Sequence, residues 1–167
     1  MLIRSENKGA SWTDPATVFA GRAYDNVDLH ADAAALHLLV VQFLEEEEEY
    51  KRLYYTKSTN GGQSFEDTVR VGERDNVEAI SLFSGAGKVY IYAQNYDSEL
   101  EQAFNYLYVS EDGGATWEEK EILPTTTVQN PGFAVSGRTI HMVFGGLLVQ
   151  PEIMYSGSED DGDTWTD

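Results

Sequence analysis

The sequence predicts an all-β protein built from four-stranded antiparallel units that recur about every fifty residues. Three observations predict it. An eight-residue pattern, S-x-D/N-x-G-x-T/S-W/F, occurs four times, beginning at Ser5, Ser58, Ser110 and Ser158. Strand-like apolar runs precede the later copies at matching offsets. No helical 3.6-residue period competes over any long window.

Each position of the pattern has a physical task in a tight turn between strands. The Asp or Asn oxygen accepts from nearby backbone N–H groups (Asn7, Asn60, Asp112 and Asp160). Gly9, Gly62, Gly114 and Gly162 can take positive φ. The hydroxyls of Ser11, Ser64, Thr116 and Thr164 satisfy further local groups. Trp12, Phe65, Trp117 and Trp165 anchor the turn to its neighbour. Asp160-Asp161-Gly162-Asp163 bears a superficial likeness to a calcium loop. It lacks that loop's ligand spacing, its Gly at the sixth place and its closing Glu, so a structural turn is expected and no metal.

Residues 1–20 read as the second half of a unit, with strands at Met1–Arg4 and Thr17–Ala20 around the first turn. Residues 21–71 form a complete repeat. Its strands are Asn26–His30, the apolar run Leu36–Leu44, Arg52–Lys57 and Thr68–Val71. A run as apolar as LHLLVVQFL suits a strand buried on both faces. Residues 72–124 copy this with Val77–Phe83, Val89–Ala93, Asn105–Val109 and Lys120–Leu123. Residues 125–167 begin a third copy, with a strand from Pro131, Thr139–Phe144 and Glu152–Tyr155, and reach their turn without a fourth strand. The glutamates at 45–49 repel one another and form a loop between second and third strands, matched by the polar 97–102.

The four turns resemble the Asp-boxes, or BNR repeats, of the sialidase superfamily. That resemblance runs from Ser5 to Trp165 and implies a sialidase-like β-propeller, about three blades of which are present, with the boxes in the turns between third and fourth strands. It also implies a glycan-binding or glycan-hydrolysing protein in an extracytoplasmic setting. Related Asp-box propellers are non-catalytic modules that bind proteins or polymers, and that reading stays open.

Composition narrows the partners. The 11 basic and 29 acidic residues give a net charge of −18, a field that repels nucleic acid and anionic membranes. No apolar stretch is long enough for a membrane helix, and the opening MLIRSENKGASW has no signal-peptide core. The absence of cysteine excludes disulfides and thiolate chemistry. No cofactor is expected.

Closed propellers typically have roughly 4–8 blades. Two strands, then four, four and three fall short of closure. The chain is therefore expected to be a piece of a longer propeller or, as the second reading, one half of a six-bladed homodimer. The homodimer brings two third strands and two boxes, at Ser5 and Ser158, to one seam.

By the propeller resemblance, the face opposite the boxes carries the active site. It holds the connections from one repeat to the next and those between second and third strands. Arg22 and Arg74 there suit a carboxylate. Asp25 and Asp75 suit acid–base work or sugar hydroxyls, Tyr24 suits stacking on a sugar ring, and Glu78 suits a base. Asn26, Asn76 and Asn130 recur at the start of the first strands. Turn chemistry and local Arg–Asp pairing explain the same residues without a ligand. His37 and His141 lie in apolar strands and read as packed, hydrogen-bonded residues. Sialidase chemistry, as the resemblance implies it, needs three arginines, an aspartate, and a tyrosine assisted by glutamate. The F/Y-R-I-P motif of one arginine is missing, and Arg138 falls in a turn on the box face, so no catalytic residue is assigned.

Overall fold

The structure is a computed structural model that describes residues 1–19, 24–44, 50–97, 99–123, 128–146 and 152–166. Every element in it is a β-strand. The first sheet pairs β1 (Tyr24–Ala31), β2 (Leu36–Phe43), β3 (Lys51–Ser58) and β4 (Val69–Arg70) in that order. The second pairs β5 (Val77–Gly85), β6 (Lys88–Asp97), β7 (Gln102–Ser110) and β8 (Glu118–Ile122). The third pairs β9 (Gln129–Ser136), β10 (Thr139–Gly146) and β11 (Glu152–Ser158). All neighbours are antiparallel, and each sheet is one propeller blade.

Hydrophobic burial lies between blades. Leu39, Val41, Leu53 and Tyr55 of the first blade meet Val77, Leu82, Ile91 and Tyr108 of the second. Tyr90, Tyr92 and Leu107 of the second meet Ile140, Met142 and Phe144 of the third. Alternate residues of β2 face the other way, where Leu38 and Val40 line an apolar cavity with Leu2, Val18 and Phe65. Two buried faces account for the unbroken apolar run in β2.

Several expected elements differ in extent. The half blade at 1–19 is a single bridge, Leu2 to Ala16, rather than two strands. A two-stranded ribbon with no sheet to join is marginal in water. The fourth strand of the first blade shrinks to two residues. The chain turns away at Gly72, whose φ of 64° and close approach to the Tyr108 ring both require glycine. In contrast, β6 extends to Asp97 because β7 pairs with it along its whole length. The run of glutamates at 45–49 lies outside the described residues.

All four boxes close in the same way. The serine hydroxyl donates to the Asp or Asn oxygen at 2.8–3.0 Å. It accepts from the N–H of Gly9, Gly62, Gly114 and Gly162 at 2.7–2.8 Å. The same Asp or Asn oxygen takes the N–H of Ser11, Ser64, Thr116 and Thr164. Hydrogen bonds from Thr116 and then Ser110 hold the Asp112 carboxyl well below its ordinary range, and those from Thr164 and Ser158 bring Asp160 down to about 2.

Candidate functional site

The repeat-to-repeat connection at 71–76 and the far end of the β6–β7 hairpin frame an open cleft of about 570 Å³. Arg74, Asp75, Asn76, Asn95, Tyr96 and Asp97 line it, with Phe104, Tyr106 and Glu121 completing the walls. Local chemistry builds it. Asn76 sits at φ 61°, which its short polar side chain tolerates, and its carbonyl accepts the Tyr96 N–H at 3.2 Å. Asn95, itself buried, donates from Nδ2 to the Asp75 carbonyl at 2.7 Å. These two bonds fix the connection against the end of β6. Tyr96 stands exposed at the rim, where its ring is free to stack on a ligand.

The arginines around the cleft are already paired with acids. Arg52 donates to Asp75 through Nε at 2.7 Å and Nη2 at 3.3 Å, a two-pronged contact. Arg70 adds Nη2 to Asp75 at 3.4 Å and reaches Glu73 at 3.1 Å. Arg74 donates to Glu119 at 2.8 Å and lies 4.0 Å from the Tyr106 ring centre. Burial works against the Arg74 charge, but the Glu119 bond raises its pKa overall. Asp75 is thus a structural counter-ion for two arginines.

Sequence reasoning placed Asp25 and Glu78 as separate candidates, and the structure brings them together on one cation. Lys51 Nζ lies 3.0 Å from Asp25 and 3.2 Å from Glu78. Burial lowers the lysine's pKa less than these two carboxylates raise it. Both acids sit at register shifts where β1 and β5 enter their sheets. Such irregularities turn a side chain out of the pleat. Tyr24 donates to the Phe19 carbonyl at 3.0 Å and packs edge-on against the Phe19 ring. Asn26 accepts the Val27 N–H, a local bond. Asn130 is exposed at φ 47° at the entry of the third blade. Arg22 lies outside the described residues.

Arg52, Arg70, Asn95, Tyr96 and Phe104 escaped the sequence reading. The arginines occur at strand ends and point to nothing until Asp75 is in place. The weak signal for Tyr96 was an aromatic beyond the expected end of its strand. His37 is buried, with Nδ1 2.6 Å from the Tyr55 hydroxyl, as a packed histidine should be. His141 makes the same contact to Tyr155 at 2.9 Å but is only half-buried. Arg138 pairs with Asp161 of the fourth box at 2.9 Å, on the box face. No cluster of three metal-ligating side chains occurs among the described residues.

No family model and no curated protein matches the sequence. Solved structures do match in fold. A protein of unknown function from Dyadobacter fermentans superposes with a TM-score of 0.72 at 14% identity, over 98% of this chain and 56% of that one. The chain has a sialidase-like propeller fold. Trypanosoma rangeli sialidase, in complex with the inhibitor DANA, gives a TM-score of 0.65 at 15% identity, over 98% of this chain and 32% of the enzyme. A GH43_1 enzyme from Xanthomonas citri, complexed with xylotriose, gives 0.59 at 16% identity, over 80% and 43%. The chain spans about half or less of the length of these three proteins.

Proposed function

We propose that this chain forms three blades of an extracytoplasmic propeller that binds a glycan, and that the cleft beside Tyr96 takes an uncharged sugar. One observation carries the reading. The cleft offers an exposed aromatic ring beside carboxylates, while Arg52, Arg70 and Arg74 are each held by an acid of the same chain. A clamp for a sugar carboxylate needs arginines whose charge is not already offset by an acid. Hydroxyl groups instead find acceptors in Asp97 and Glu121 and a stacking surface in Tyr96. The sialidase-type reading, hydrolysis of a charged sugar, has less support from these residues. Pairing of Asp25, Asp75 and Glu78 with cations favours a binding role over acid–base work.

Saturation-transfer NMR tests this with xylotriose and N-acetylneuraminic acid as probes. Xylotriose is expected to receive saturation from the protein, and Tyr96→Ala is expected to abolish it with the thermal melt unchanged. Preference for N-acetylneuraminic acid, or transfer that survives Tyr96→Ala, would overturn the assignment.

A further inference from the structure

One contact between neighbouring blades recurs three times. The residue three places before each box serine lies under the glycine of the next box. Leu2 lies under Gly62, Tyr55 under Gly114 and Leu107 under Gly162. A methyl group on any of these glycines would run into the side chain below. The box aromatic then packs alongside, as Trp117 does on Tyr55 with ring centres 5.1 Å apart at 75°.

Tyr155 is the fourth member of this series, and it is built like Tyr55. His37 and Tyr55 stack at 6.0 Å; His141 and Tyr155 lie 6.1 Å apart with a similar tilt. In both pairs the histidine Nδ1 meets the tyrosine hydroxyl. Yet Tyr55 is 2% exposed and Tyr155 54%. Ile153 is 89% exposed, whereas Leu53 at the same offset is 1%. Val143 is exposed, whereas Leu39, which faces the corresponding tyrosine across the sheet, is fully buried. The third blade thus presents a finished socket of the kind that holds a box elsewhere in this chain.

The matching part lies at the other end. The first box has the same internal hydrogen bonds as the others. Among the described residues its Gly9 has only its own box's Trp12 nearby, at 3.9 Å, and Trp12 is 60% exposed. The geometry points to a head-to-tail contact between copies of this chain. The first box of one copy seats on the Val143–Ile153–Tyr155 face of the next, with Gly9 over the Tyr155 ring and Trp12 beside it. Here the first box adds a following blade to the third, so it does not compete with the box at Ser158 for one seam. Such a heterologous contact closes a ring if its rotation permits and otherwise extends a filament.

Sedimentation across a protein concentration series tests this. The salt must be high enough to screen the net charge of −18. The 167-residue chain is expected to associate, and Trp12→Ser and Tyr155→Asp are each expected to sediment as monomers. The decisive sample is their equimolar mixture. Trp12→Ser keeps a good socket and Tyr155→Asp keeps a good box, so the mixture should give one-to-one dimers and nothing larger. Ile153→Lys serves in place of Tyr155→Asp should the latter lose its near-UV circular dichroism. A monomeric parent chain, a mixture that stays monomeric, or single variants that still associate would each overturn the contact.

Discussion

Gly114→Ala tests the joint between the first two blades most directly. Gly114 has φ +96°, and a Cβ there would overlap the Tyr55 ring. That ring cannot easily retreat, since its hydroxyl meets His37 Nδ1 at 2.6 Å and Trp117 packs against its side. Two costs add. Left-handed backbone costs a residue with a Cβ about 1–2 kcal/mol. Overpacking a filled site costs about 1–3 kcal/mol more. Gly61→Ala separates the two, because Gly61 has φ +67° in the second box and, among the described residues, nothing within 4 Å of its added methyl. It should lose only the backbone part. At about 2–4 °C per kcal/mol for a chain of this size, Gly114→Ala should lower the melting temperature by roughly 5–15 °C and Gly61→Ala by roughly 2–8 °C. Tyr55→Leu, which copies the Leu107 arrangement, should recover part of the Gly114→Ala loss in a double-mutant cycle. Equal losses for the two alanines, with no coupling to Tyr55, would refute the stacking argument.

Two further perturbations probe the boxes and the cleft. Asp112 and Asp160 have folded-state pKa values below the ordinary 3.8, so the unfolded chain takes up their protons first. Their contribution is complete above about pH 4 and is lost as pH falls through the range down to about 2; Asp112→Asn/Asp160→Asn should flatten the melting temperature over that range, and an unchanged acid limb would count against it. Asp75→Asn leaves Arg52 and Arg70 without their shared counter-ion and should cost about 1–2 kcal/mol in urea unfolding, since charged hydrogen bonds are worth somewhat more than neutral ones; no loss would show the arginines to be self-sufficient.

The repeat was legible in sequence because its signal is local. The hydrogen bonds that close a box span no more than four residues, so residue type and spacing carry them whole. The strands were legible for the same reason, except where pairing decided their length. Val69–Arg70 stops short because Gly72 turns under Tyr108, and β6 runs past Ala93 because β7 supports it. The cleft was only half legible. Arg74, Asp75 and Asn76 stood out as a connection, but their states depend on distant partners. Arg52 is 23 residues from Asp75, and Arg74 is 45 from Glu119. No period or motif links such pairs. The same holds for Lys51, which reads as an ordinary strand lysine until two blades bring Asp25 and Glu78 to it.

The Asn boxes and the Asp boxes are one turn with a hydrogen bond reversed. Thr116 and Thr164 donate their hydroxyls to the second carboxylate oxygen at 2.6 Å. In the first two boxes Asn7 and Asn60 donate from Nδ2 to Ser11 and Ser64 at 2.7 and 2.8 Å. The acceptor facing the backbone is unchanged, so the turn keeps its shape whichever residue occupies it. What the turn must deliver is an open glycine face and an aromatic beside it, because those two make the joint to the preceding blade. A box is therefore best understood as the plug of an interblade joint, and in the proposed contact between copies Trp12 belongs to the plug and Tyr155 to the socket.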